Sequence, residues 1–141
     1  MKVMVIVKAN QESEAGTLPS ERLLTEMGRF NEELVNAGMM LAGEGLHPTA
    51  RSVRVSLSGD TPAVRKGPFA PIEEQVAGFW LWKVQSLDEA IAWAKRIPHP
   101  DGGTSDFELR PVFEPEDFGP NLTPELREQE ARLRGETARH S

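Results

Sequence analysis

Two side chains near position 45 have the chemistry needed for acid–base catalysis. Glu44 ends a short apolar segment, and His47 follows two glycines, Gly43 and Gly45, whose backbone freedom lets neighbouring side chains line a cleft. A histidine changes charge near neutral pH, so His47 can serve as a general acid or base. We therefore predict His47 and Glu44 as catalytic candidates. The same pattern is equally compatible with His47 being an ordinary surface residue in a loop before Pro48.

A second group of residues has the chemistry to hold a substrate. Arg110 and Glu44 both fall on predicted strands, and on a shared face they would form an ion pair or hold a polar ligand, because an unpaired buried charge is costly. Asn31 falls on the apolar side of a predicted helix, where an unpaired amide would be costly. Its amide therefore forms hydrogen bonds either to the sheet or a loop within the core, or to a ligand in a pocket. The predicted substrate-binding residues are Asn31, Lys66, Phe69, Trp80 and Arg110.

The loop that begins at Lys66 and the aromatic segment after it would form the walls of such a site. A glycine–proline step sets the backbone of the loop, so Phe69 folds inward as a lid or as a core plug. Trp80 and Trp82 either line an apolar ligand cavity or form the core of a dimer. The sequence leaves both alternatives open.

The composition excludes several kinds of site. The 141 residues include no cysteine, which excludes disulfides, thiolate metal sites and cysteine nucleophiles. The three histidines are scattered, and no phosphate-binding glycine loop or Ser–His–Asp pattern occurs, so we predict neither a metal nor a cofactor. The net charge of −6, without any basic stripe, argues against a nucleic-acid partner.

The apolar segments of the sequence are too short to span a membrane. None approaches the roughly 20 residues that a spanning helix requires, and the run at 3–7 is followed at once by Lys8, unlike a secretory leader. We predict no membrane partner and a cytoplasmic location.

Periodicity and turn signals predict a strand and helix order that would position these side chains. Residues 86–89 have the form of a capping box that opens a helix, and Pro98 ends it. The predicted elements are a strand at 3–8, a helix at 19–37, a strand at 39–44, a hairpin at 53–57 and 62–65, a central strand at 78–84, a helix at 86–97 and a strand at 107–113.

This order is typical of an α+β, ferredoxin-like split βαβ domain with an inserted hairpin. Both helices would cover one sheet face, yet the strands are apolar on both faces, including a row that carries tryptophans. An exposed apolar sheet of that size is rare in monomers. We therefore predict a homodimer whose sheets stack face to face. The domain would span 1–119, and the polar segment 120–141 would be a docked helix or solvated chain.

Three segments resemble the YCII-related family, in its DGPF branch. They are FNEELVNAGMMLAGEGLHP at 30–48, KGPFAPIEEQVAGFWLWKVQSLDEAIAWAKRIP at 66–98 and ELRPVFEPEDFG at 108–119. The resemblance implies a dimeric α+β barrel, related to muconolactone-isomerase-like enzymes and small monooxygenases. Lys66 stands where the branch motif has aspartate. No histidine in the first strand or helix matches the His–Asp pair associated with other relatives.

Two functions fit this sequence. The first is a small-molecule-binding dimer with isomerase-like or cofactor-free oxygenase-like chemistry, in a pocket between the first helix and the sheet. The alternative is a non-catalytic regulatory or binding module that contacts a partner through the acidic tail. The family resemblance connects this alternative with sigma-factor-dependent transcription, because some branch members are thought to accompany such factors. Fold kinship alone does not decide between them.

Overall fold

A computed structural model describes residues 1–100 and 103–140, and its strands and α-helices follow the predicted order with one addition, the short helix α1. The strands are β1 (Lys2–Lys8), β2 (Met40–Gly45), β3 (Val53–Ser56), β4 (Ala63–Lys66), β5 (Val76–Lys83) and β6 (Phe107–Pro111). The α-helices are α1 (Gln11–Glu14), α2 (Glu21–Asn36), α3 (Leu87–Ala94) and α4 (Pro124–Arg139).

Four of the strands form one antiparallel sheet in the order β2-β5-β1-β6. The prediction that the tryptophan-bearing strand is central is confirmed, since β5 lies between β2 and β1. The hairpin β3–β4 forms a separate two-stranded sheet. Together these elements confirm the predicted α+β, ferredoxin-like fold.

Helix α2 spans Glu21–Asn36, within the predicted range of 19–37, and both of its ends are capped. The Ser20 hydroxyl accepts a hydrogen bond from the Leu23 N–H at 3.1 Å, which satisfies one free donor of the first turn. Gly38 follows the last turn with φ +72°, a conformation that favours glycine. Between these ends, Phe30 and Leu34 are buried against the sheet.

The tryptophans lie in the core of the protomer itself. Alternate residues of a strand point to opposite faces, and Trp80 and Trp82 point toward α2, where the Phe30 ring lies 6.0 and 6.2 Å from theirs. Trp82 is fully buried within the single chain. The prediction that these two tryptophans form the core of a dimer is therefore wrong.

The opposite sheet face, which we call the distal face, carries its own apolar row. Leu81 lies across from Met4, and Phe79 lies across from Ile6. All four side chains are partly exposed. Neither α2 nor α3 packs on this face, because both helices pack on the face that carries the tryptophans.

The chain divides into two compact units, residues 1–111 and 112–141. In the second unit, Phe113 stacks on Phe118 with ring centroids 4.8 Å apart. Helix α4 opens at Thr123, whose hydroxyl accepts from the Leu126 N–H. No helix among the described residues is both long enough and apolar enough to cross a membrane.

Candidate functional site

An open cleft of about 710 Å³ lies in the first unit, beside α1, the first half of α2 and one end of the sheet; we call it the α1 cleft. Its volume is in the range of small-molecule pockets. The large apolar side chains that line it are Val7, Leu18, Leu23, Met27, Leu46, Trp80 and Phe107. A ligand there would therefore meet mainly hydrocarbon and aromatic surface.

All the charged side chains among the described residues that line the α1 cleft come from α1 and from the segment that follows β2. His47 and Arg51 belong to that segment, and Glu12 and Ser13 belong to α1. The Arg51 Nη1 atom lies 3.1 Å from Nδ1 and 3.0 Å from Nε2 of His47. The cleft thus combines an apolar wall with a histidine and a guanidinium placed side by side.

Sequence reasoning missed two parts of this site, Arg51 and helix α1. The helix has only four residues, so no helical periodicity can identify it. Its signal is the spacing of Asn10 and Ser13: the Ser13 N–H donates to Asn10 Oδ1 at 2.8 Å, and the Asn10 N–H donates to Ser13 Oγ at 2.9 Å. This reciprocal pair is a capping box with serine at the third position.

A partly buried hydrogen-bond network joins α1 to the segment that carries His47. Both oxygens of the Glu14 carboxylate accept hydrogen bonds from Thr49, one from its N–H at 3.0 Å and one from its hydroxyl at 2.5 Å. The Thr49 hydroxyl also accepts from the Phe69 N–H at 3.0 Å. One threonine therefore fixes α1, the His47 segment and the 66–69 loop relative to each other.

Phe69 is a core plug and not a lid. Only 8% of it is exposed, and its ring lies 3.8 Å from the Arg54 guanidinium and 5.2 Å from that of Arg65, a cation–π arrangement. Lys66 is exposed at the end of β4. Neither Phe69 nor Lys66 lines the α1 cleft.

The side chain of Asn31 is half-buried on α2 and bonds the core. Its Oδ1 accepts a hydrogen bond from Trp80 Nε1 at 2.9 Å, which is the first of the two alternatives for this residue. Asn31 lines a shallow groove along α2, outside the α1 cleft. Trp80 itself lines the cleft with one part of its ring while its nitrogen is held by Asn31.

The predicted pairing of Glu44 with Arg110 does not occur within the protomer. Both residues point to the distal face, because Glu44 is opposite Phe79 and Arg110 is opposite Met4. Their strands form the two edges of the sheet, three strand spacings or roughly 14 Å apart. Arg110 instead lies 3.8 Å from Glu108. Of the two catalytic candidates, only His47 lines the α1 cleft.

Metal chemistry has no candidate centre among residues 1–100 and 103–140. These residues contain no group of three or more histidine and carboxylate side chains that could hold a metal ion. Among the described residues, the side chains that line the α1 cleft supply an imidazole, a guanidinium, an amide, hydroxyls and one carboxylate.

Two comparisons with known proteins each match more than half of the chain. A family model described as the YCII-related domain matches residues 1–115. The chain is 32% identical over 92 residues to "Uncharacterized protein R00369" of Rhizobium meliloti (strain 1021), a match that covers 65% of this chain and 74% of that protein. The match to the family model includes every described residue that lines the α1 cleft.

Proposed function

This chain belongs to the YCII-related family, and from that premise we propose that it binds a small, largely apolar molecule in the α1 cleft. The observation that carries the proposal is the cleft itself, an apolar wall of Leu23, Met27 and Trp80 that also includes His47 and Arg51. Aliphatic and aromatic walls with few polar groups are typical of small-molecule sites.

The geometry favours this function over the regulatory module. All residues that line the α1 cleft belong to the first unit, so ligand binding requires nothing of residues 112–141. In that second unit the exposed apolar residues are Phe113, Phe118, Leu126 and Leu133. Phe113 and Phe118 form one stacked pair, whereas Leu126 and Leu133 lie on a mainly polar helix.

Filling the α1 cleft tests the binding function directly. Met27→Trp adds bulk to the wall of the cleft, so a small molecule that copurifies with the wild-type protein under gentle conditions should be lost. Leu24→Trp is the matched control, since Leu24 is 59% exposed on α2 and does not line the cleft. Mass spectrometry of the extracted proteins measures both. Equal ligand content in the two variants would contradict the proposal.

His47 is proposed to transfer a proton to or from the bound molecule, which is the step that isomerase-like or oxygenase-like chemistry requires. Once the copurified molecule is identified, the wild-type protein is expected to convert it or its precursor, and His47→Ala is expected to bind it without converting it. Liquid chromatography of the reaction mixture separates these outcomes. Conversion by His47→Ala at the wild-type rate would show that His47 does not transfer the proton, whereas no conversion by the wild-type protein would assign the protein a binding role alone.

We propose that a second copy of the chain packs on the distal face and forms a homodimer. The row of Met4, Ile6, Phe79 and Leu81 offers apolar surface on the two central strands, and charged Glu44 and Arg110 stand on the edge strands. An apolar centre within a polar rim is the usual anatomy of an interface. Two such faces stacked by two-fold symmetry would remove both rows from water.

A further inference from the structure

The α1 cleft contains a guanidinium that no carboxylate of the described chain neutralises. Arg22, Arg96 and Arg110 each lie within ion-pair distance of a glutamate. Among residues 1–100 and 103–140, no carboxylate lies within ion-pair distance of Arg51. The one side chain there within hydrogen-bonding distance of it is His47.

His47 satisfies only a small part of the hydrogen-bonding capacity of Arg51. A guanidinium has five N–H donors, whereas a neutral imidazole has a single acceptor nitrogen. One Nη1 atom that is nearly equidistant from both ring nitrogens donates to at most one of them. Donors of Arg51 therefore remain for a ligand, beside a ring that supplies a further N–H or acceptor.

We infer that the molecule bound in the α1 cleft is an apolar carboxylic acid whose carboxylate pairs with Arg51. This inference rests on the ligand-binding function proposed above and adds the chemical class of the ligand. A planar carboxylate matches the guanidinium fork with two parallel hydrogen bonds. Its hydrocarbon part would contact Leu23, Met27 and Trp80.

Glu12 provides a second, independent test of the charge of the ligand. Its carboxylate also lines the α1 cleft, so it repels an anionic ligand and leaves a neutral ligand almost unaffected. Removing the charge of Glu12 and removing that of Arg51 should thus change the affinity for an acid in opposite directions.

A matched pair of probes tests the assignment by calorimetry with the full-length protein. We expect 4-phenylbutanoate to bind the wild-type protein about tenfold more tightly than 4-phenylbutanamide, as a charge-assisted pair adds to the shared apolar contacts. Arg51→Gln should reduce the affinity for the acid to that for the amide and leave the amide unchanged. Glu12→Gln should tighten binding of the acid alone.

Arg96→Gln is the control, because Arg96 pairs with Glu33 and does not line the cleft; it should alter neither affinity. Circular dichroism and the melting temperature check that each variant is folded.

Equal binding of both probes to the wild-type protein would overturn the carboxylate inference and leave cleft binding intact. Tighter binding of phenyl phosphate than of the acid would overturn it in favour of a phosphate ligand. Binding of neither probe at millimolar concentration, in a protein that still copurifies with a neutral molecule, would also overturn it.

Discussion

Gly67→Ala is expected to lower the free energy of unfolding by about 3 kcal/mol, the upper part of the range for overpacked positions. A Cβ atom on residue 67 would lie 1.7 Å from the Thr49 carbonyl oxygen and 2.7 Å from its carbonyl carbon. Both are backbone atoms and cannot rotate away, so one of the two chain segments must move. Chemical denaturation monitored by tryptophan fluorescence measures the loss.

The movement would disturb the hydrogen-bond network around the buried Thr49. The Gly67 N–H donates to the Ser52 carbonyl at 2.8 Å, and Thr49 holds both Glu14 and the Phe69 N–H. A displaced 66–69 loop therefore leaves buried donors unsatisfied, which adds to the steric penalty. We expect the α1 cleft to lose ligand affinity in the same variant, because its His47 segment is fixed through this threonine.

Gly28→Ala is the matched control for the glycine substitution. Gly28 lies inside α2, and a Cβ atom there meets nothing within 4 Å. Alanine favours a helix over glycine by about 1 kcal/mol, so this variant should be slightly more stable than the wild-type protein. A Gly67→Ala protein as stable as Gly28→Ala would show that the 66–69 loop is not held against Thr49.

Phe79→Glu is expected to convert a dimer into a folded monomer. Phe79 lies near the centre of the distal face, between Ile6 on β1 and Glu44 on β2. In the proposed dimer its replacement would bury a carboxylate without a partner, a change worth several kcal/mol. The dissociation constant should therefore rise by at least about a thousandfold. Sedimentation at micromolar concentration resolves the two states.

Leu24→Glu separates this effect from a general effect of added charge. Leu24 is exposed on α2, away from the distal face, so this variant should remain dimeric. Circular dichroism must show that Phe79→Glu retains its fold, since the substituted side chain is on the surface of the isolated subunit. A wild-type protein that sediments as a well-folded monomer at micromolar concentration would refute the dimer before any variant is made.

The order and type of the longer elements could be predicted because their signals are local. The alternation in β5, the apolar spacing in α2 and the Ser86 cap of α3 each depend on neighbours within about four residues. Even the reciprocal cap of α1, between Asn10 and Ser13, is a local signal, although α1 is too short for periodicity to support it.

The candidate site was predictable only in part, as His47 and Trp80 illustrate. Their chemistry identified both residues, and both line the α1 cleft. Arg51 was not singled out, because an arginine in a loop has no distinguishing pattern until its neighbours are known. Glu44 and Arg110 were grouped with His47 because of their chemistry. The alternation of side chains along a strand puts both of them on the distal face, and the strand order puts them at opposite edges of the sheet.

By itself, the sequence determined the α+β fold, the order of its elements and the apolar character of both sheet faces. Tertiary structure alone decided which face the helices cover, and hence that Trp80 and Trp82 are buried within the protomer while Phe79 and Leu81 are on the distal face. The physical reason is that alternation fixes which residues share a face, whereas the choice between two apolar faces depends on packing between segments distant in the chain.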